Sequence, residues 1–420
     1  MIKKIIQKFR ENPTVAKILL FLAIMGPGII TANVDNDAGG ITTYSLAGAH
    51  FGYALMWSLI PIALALIIVQ EMCARMAVVT GKGLADLIRE NFGVKVTFYL
   101  MLVLLIVNMG NVMAEFAGVA ASLEIFGVSK YISVPLAAFF VWMLVVRGNY
   151  KTVEKVFLSA CLFYIAYIIS GFMAKPDWGQ VMKQTVAPHI DWSLDYFVML
   201  VGLVGTTIAP WMQFYQQSSM VEKGLPSEDY KLIRLDVIVG CATASIVAAF
   251  IVIACAATLH HTNVRIDTAA DAAIALQPFA GIYATWIFAA GLLIASLFAA
   301  SILPLSTAYS ICEGMGWDEG VDKRFDQAPQ FFGLYTAMIV IGAGVVLIPN
   351  FPLLKVMYFS QVGNGILLPF ILIFMLKLIN NPDIMGEFTN SKLFNIIAWS
   401  TVIVVIALTL IMVGFMFAHG

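Results

Sequence analysis

The chain has 420 residues, of which 61% are hydrophobic and only 12% charged, and its mean hydropathy is +0.90. Soluble domains carry about a quarter charged residues, so this composition excludes a water-soluble globule and places the chain in lipid. A net charge of −1 leaves no basic excess for nucleic acid, and no polar stretch is long enough to fold as a second domain.

The basic start, residues 1–16, precedes an apolar run that no small-residue cleavage site closes, so it reads as a cytoplasmic segment that stays on the protein. Apolar windows able to cross about 30 Å of hydrocarbon then fall at 17–47, 53–79, 97–126, 131–147, 153–174, 196–220, 234–258, 282–312, 329–348, 354–378 and 395–418. Eleven transmembrane helices follow, and the fold class is all-α polytopic membrane protein. With the N-terminus inside, 19 Lys and Arg fall on the cytoplasmic side and five outside (Lys130, Lys175, Lys183, Arg265 and Lys355). That bias obeys the positive-inside rule and puts the C-terminus outside the cell, in a plasma or inner membrane. The five cysteines, Cys73, Cys161, Cys241, Cys255 and Cys312, have no metal-ligand spacing and read as small core hydrophobes.

Two windows are spoiled as continuous helices, and they stand five spans apart. The first contains Asn33-Val34-Asp35-Asn36-Asp37-Ala38-Gly39-Gly40, the sixth Gly205-Thr206-Thr207-Ile208-Ala209-Pro210-Trp211. Non-helical backbone at membrane depth is tolerated only where it is buried or lines a cavity. Matching interruptions in two five-span halves, here 17–174 and 196–378, point to a secondary transporter of two inverted repeats with its substrate at the midplane. The span at 395–418 is an addition outside the repeats.

Carboxylates inside a span are expensive and mark function by default. Asp37 is the leading candidate. For Asp35 a half-helix cap or an ion pair is as good a reading as a ligand. Glu115 shares a helix face with Asn108 and Asn111, which serves either ion passage or an interhelical hydrogen bond. Ser360, Gln361 and Asn364 in the tenth span offer neutral oxygens that either complete a coordination shell or join helices. Carboxylates beside unwound carbonyls suit hard cations such as magnesium, calcium or manganese rather than anions. No histidine lies at membrane depth, and there is no phosphate-binding loop or catalytic motif, so the chain is not read as an enzyme or an ATP-driven pump.

The motifs resemble those of the natural-resistance-associated macrophage protein (NRAMP) family of divalent-metal transporters. The run Asp37 to Tyr53 follows the family's DPGN-containing first span, Gly205 to Trp211 its GATVMPH sixth span, Ala114-Glu115-Phe-Ala-Gly118 its third-span AE--G, and Ser360-Gln361-Val with Pro369-Phe its tenth-span SQV and PF. The resemblance implies a leucine-transporter-like fold with broken helices 1 and 6, alternating access, and a metal site at Asp37, Gly40, Thr206, Ala209 and Gln361. Asp35, Glu115, Trp211, Gln213 and Asn364 are then candidate residues of the ion pathway. Departures matter as well: the family's Asn aligns with Gly40, its Met with Ala209, its proton-linked His with Trp211, and a third-span Asp with Val112. Loss of the thioether removes a preference for softer metals, and smaller side chains leave room for a hydrated ion.

The pattern is similar to the family's prokaryotic magnesium-transporting branch. It implies a monomer without cofactors, with Mg2+ or Mn2+ as transported substrate and no proton coupling. The alternatives are a proton-coupled manganese or iron transporter of the main family type, a carrier of a small organic solute on the same fold, and a receptor or membrane enzyme, for which no soluble domain or catalytic constellation is present.

Overall fold

The computed structural model describes residues 27–147, 165–188, 190–224, 227–260 and 284–419, and every regular element among them is helical. The first predicted span is two pieces: α1 (Pro27–Asn33) closes in one 3-10 turn, Val34–Asn36, and after Asp37 the chain restarts as α2 (Ala38–Phe51). Residues 17–26 of that window lie outside the described residues, as do Cys161 and most of the fifth window. Next come α3 (Met56–Thr80), α4 (Leu84–Phe92), α5 (Val94–Glu124), α6 (Lys130–Val146), α7 (Ile165–Met173) and α8 (Trp178–Val186). The sixth window is also interrupted, into α9 (Leu194–Thr207) and α10 (Pro210–Lys223). Then follow α11 (Tyr230–Thr258), α12 (Ala284–Met315), α13 (Pro329–Val346), α14 (Leu353–Ile379), the single turn α15 (Pro382–Met385) and α16 (Lys392–His419).

Eight of these helices are long and apolar enough to cross a membrane, counting α9 and α10 as one interrupted span, and α6 is a shorter apolar helix. The sequence windows missed α4 and α8. Both are amphipathic: α4 buries Leu84, Ala85, Leu87 and Ile88 and turns Asp86, Arg89 and Glu90 the other way, a pattern that a hydropathy average cancels.

The long helices surround the two interrupted ones. α5 lies along α12, α9 along α14, and α11 packs on α1, α2 and α3. As a result α2 is buried from Ala38 to Ala49 and α10 from Pro210 to Met220. α10 is a polar sequence in the middle of the bundle, and its amides find partners there: Gln216 donates to the Gln70 carbonyl and Gln217 to the Lys82 carbonyl, each at 2.8 Å. The backbone of α9 meets that of α14 at Gly205, where a Cβ would stand 2.0 Å from the Gln361 carbonyl oxygen. Only glycine permits this approach.

α16 is different in kind, with an outward face of Leu393, Ile396, Ile403, Val404 and Leu410 exposed as hydrocarbon-facing surface should be. The segment leading into it is tied down by Arg75 of α3, which pairs with Glu71 at 3.1 Å and donates to the carbonyls of Phe388 and Thr389. Arg75 and Arg234 both lie over the Phe394 ring, and Lys377 lies over that of Phe92. Lys130 caps the carbonyls of Val346 and Ile348 at the opposite end of α13 from Pro329.

Candidate metal site

At the first break the sequence itself ends the helix. Asp35, Asn36 and Asp37 are three successive residues whose short polar side chains compete with helical hydrogen bonding, and Asp37 then serves as a helix start. Its φ of −71° and ψ of −172° are those of an N-cap, and its Oδ1 accepts the Gly40 amide at 2.6 Å. Glu115, from α5, reaches the same helix end: its Oε2 accepts the Ala38 amide at 3.2 Å. Gly118, one turn beyond Glu115, makes this possible, since a Cβ there would fall 2.5 Å from the Ala38 Cβ. Two acids from distant parts of the chain thus converge on the amino end of α2. All of Asp35, Asp37 and Glu115 are at least 96% buried, and among the described residues no ion pair includes any of them.

The second break carries no charge. α9 ends at Thr207, where Ile208 still donates to the Val204 carbonyl, and Pro210 at the first position restarts the helix as α10 with Ala209 as its cap. Proline needs no amide partner there, and its ring fixes the turn. Thr206 lies against Gly40, its hydroxyl bonded to no protein group, and the Tyr44 hydroxyl donates to Thr207 Oγ1 at 2.7 Å, so α2 and α9 are joined beside the break. The last carbonyls of α9, including that of Thr206, are left without helical donors.

Neutral amides close a third side. Asn111 of α5 and Asn364 of α14 exchange hydrogen bonds at 2.8 and 3.1 Å, and Asn364 also donates to Gln361 Oε1 at 2.8 Å. The other end of the Gln361 amide lies against Gly39, where a Cβ would overlap its Nε2. Asn108, on the same face of α5, donates instead to Thr307 of α12 at 2.9 Å.

The structure therefore brings together Asp35, Asp37, Gly40, Thr206, Glu115 and Gln361, and it corrects several expected roles. Gly40 leaves no room for an ion to fill: an added Cβ would stand 2.0 Å from the Asp35 carbonyl oxygen and 3.2 Å from Thr206 Oγ1. Glycine is here because two backbones touch. Ala209 does lack a ligating side chain, but its carbonyl is committed to the Met212 amide, and Gln213 with its amide oriented to satisfy its neighbours donates to Ala209 and Pro210. Gln213 is a brace of its own helix end, and Gln361 Oε1 and Asn364 are held within the amide chain rather than turned to a pathway. Trp211 is buried, and its carbonyl accepts the Ser306 hydroxyl at 3.0 Å. Sequence reasoning overlooked Tyr44, whose place one turn into α2 beside a threonine-rich break is visible only once the halves are docked.

Chemically, the donors around the breaks are carboxylates, hydroxyls and carbonyls. Among the described residues no three His, Cys, Asp or Glu side chains are grouped to cage a metal. A site with few protein ligands, all of them oxygen, matches an ion that keeps part of its water shell.

Three comparisons bear on this arrangement. The family model described as natural resistance-associated macrophage protein-like matches residues 28–414. The chain is 29% identical over 399 residues to the divalent metal cation transporter MntH of Erwinia tasmaniensis, covering 92% of each. In structure it resembles the Eremococcus coleocola manganese transporter in complex with an aromatic bis-isothiourea substituted compound, with a TM-score of 0.77 at 22% identity over 93% of this chain and 86% of that one. A more distant likeness, TM-score 0.57 at 12% identity over 86% and 81%, is to a nucleobase-cation-symport-1 family transporter in a closed conformation.

Proposed function

We propose a cargo for this chain from one premise: it belongs to the natural resistance-associated macrophage protein-like family. Such a protein is a divalent-metal transporter of the membrane, not an enzyme, and its relatives are named for manganese and divalent cations. For this chain the favoured substrate is magnesium, with manganese also carried. The observation behind that choice is Ala209: at the family's thioether position stands a methyl group, and the unpartnered buried side-chain atoms of the two breaks, on Asp35, Asn36 and Thr206, are all hard oxygens. Asp37 is the anchoring ligand, offering the oxygen that Gly40 does not hold, with the Thr206 carbonyl and hydroxyl opposite and the Gln361 amide at the edge.

Transport is uncoupled from protons. The positions of the family's sixth-span histidine and third-span aspartate are Trp211 and Val112, neither of which titrates. A dication entering down a membrane potential of 100 mV gains about 4.6 kcal/mol, twice the value for one charge. That suffices for uptake of an abundant ion. Residues 17–174 and 196–378 act as the two inverted halves, 395–418 as the eleventh span, and the N-terminus faces the cytoplasm of a monomer.

The test is uptake of magnesium and manganese into voltage-clamped proteoliposomes holding a pH-sensitive dye, with calcium as competitor. Magnesium entry that tracks voltage and leaves the internal pH flat is expected. Metal-dependent acidification of the lumen, or manganese entry without magnesium entry, would sink this reading.

A further inference from the structure

The three buried carboxylates of the first break sit in unlike fields. Asp37 and Glu115 stand at the amino end of α2 and accept its Gly40 and Ala38 amides. A helix amino end carries roughly half a positive charge, so backbone offsets part of theirs.

Asp35 sits at the opposite pole. It belongs to the turn that closes α1, and its carbonyl meets Thr206, near the carboxyl end of α9, around Gly40. Its neighbour Asn36 donates to the Ala244 carbonyl of α11 at 3.5 Å. Asp35 is 2% exposed, and neither of its carboxylate oxygens bonds a protein group. The Asn36 Oδ1 and Thr206 Oγ1 atoms beside it are equally unpartnered. An unpaired carboxylate facing helix carboxyl ends in the interior is strongly unfavourable unless a cation joins it, and half-helix carboxyl ends are where membrane transporters coordinate cations.

We propose that Asp35 is a second cation-contacting carboxylate, which holds the cargo from the α9 side while Asp37 holds it from the α2 side, and which restricts the site to divalent ions. The inference rests on the divalent-cargo reading above. A second carboxylate beside Asp37 raises the count of ligand charges, which favours a dication over a monovalent ion.

The experiment compares the full chain with Asp35→Asn and Asp35→Glu in proteoliposomes, using magnesium, manganese and sodium chlorides as probes, alongside thermal unfolding without metal. Asp35→Asn is expected to raise KM for both dications about tenfold, since site affinity follows the count of ligand charges, and to raise sodium flux relative to magnesium flux. Asp35→Glu should recover part of the loss. Metal-free unfolding of the Asn variant should be unchanged, because no protein group bonds the Asp35 carboxyl. An unchanged magnesium KM in a wild-type-active background overturns the role of Asp35 alone, whereas a wild-type chain that carries neither dication overturns the cargo reading. Should neither variant insert, infrared difference spectra of the wild-type chain on adding magnesium decide the matter: two perturbed carboxylate environments support the proposal, and a single one refutes it.

Discussion

The break at Val34–Asp37 and the break at Ile208–Ala209 stand in corresponding helices yet are built from opposite chemistry. The first is made by three polar residues in a row and gathers Asp35, Asp37 and Glu115. The second is made by a proline and a run of threonines and holds no charge at all. Duplicated architecture therefore constrains where the helices open, and leaves the composition of each opening free. On the proposed function, the acidic break supplies the attraction for a cation, and the neutral one supplies carbonyls and sets the size of the space.

The sharpest way to break this comparison is to neutralise each side in turn. Asp37→Ala is expected to abolish metal uptake, with a loss of about 1 kcal/mol in stability from the missing helix cap, whereas Thr206→Val should lower uptake only severalfold. Flux and thermal unfolding of the same reconstituted samples check both, and a Thr206→Val chain as dead as Asp37→Ala would contradict the division of labour.

Restoring the family's side chains at Gly40 and Ala209 separates the breaks again. Gly40→Asn places a Cβ into the Asp35 carbonyl, and overpacking of this kind costs at least about 1–3 kcal/mol. It should yield little monodisperse protein by size-exclusion chromatography. Ala209→Met should fold and raise the manganese-to-magnesium uptake ratio, since sulfur strengthens softer ions. An Ala209→Met chain with an unchanged ratio would show that this position does not discriminate.

A smaller effect sharpens the role of the amide chain on the third side. Asn364→Leu strands the Asn111 amide, at a cost of about 1–3 kcal/mol. The double variant Asn111→Leu, Asn364→Leu should recover part of that loss, read as the unfolding midpoint in detergent.

The smallest effect lies outside the spans, in the half-buried loop between α12 and α13. Desolvation, with Asp86 nearby, pushes the Glu319 carboxyl up to about 7, while Lys323 pulls the other way. A carboxyl raised in the folded state favours folding below its unfolded value of about 4.5 and loses that contribution as pH rises through 7. Glu319→Gln should therefore be neutral at pH 4 and slightly stabilising at pH 8. A variant whose stability difference from wild type is flat across that range would contradict the shift.

Much of this was legible in the sequence. Runs of apolar residues betray spans because lipid admits little else, and the polar clusters at 33–40 and 205–211 betray breaks because a continuous helix there would bury them unpaired. The charge bias put Arg75 and Arg234 on one side, and both guanidinium groups lie over the Phe394 ring. What the sequence hid depends on pairs far apart in it. The absence of a side chain at Gly40 looked like space, and it is instead contact with Asp35 and Thr206. Gln213 looked available and is spent on its own helix end. For Asp35 a cap read as well as a ligand, but Asp37 and Glu115 take the amides of α2 and neither Asp35 oxygen bonds a protein group.

The contact between α1 and α11 also governs the order in which the molecule can be made. The Gly28 amide donates to Asp236 at 2.8 Å across 208 residues of sequence, and at Gly240 a Cβ would stand 2.7 Å from the Gly28 carbonyl oxygen, so α1 is docked backbone to backbone on a helix synthesised far later. At translation rates of about 5–20 residues per second, α1 waits roughly 10–40 s for that helix. Throughout the wait Asp35 and Asp37 belong to a segment with no finished pocket, and a bare carboxylate in hydrocarbon costs at least about 2.5 kcal/mol. Until α11 is made, the segment around α1 must therefore linger at the aqueous edge of the membrane or against an insertion factor, and it takes its final place only after a helix made far later.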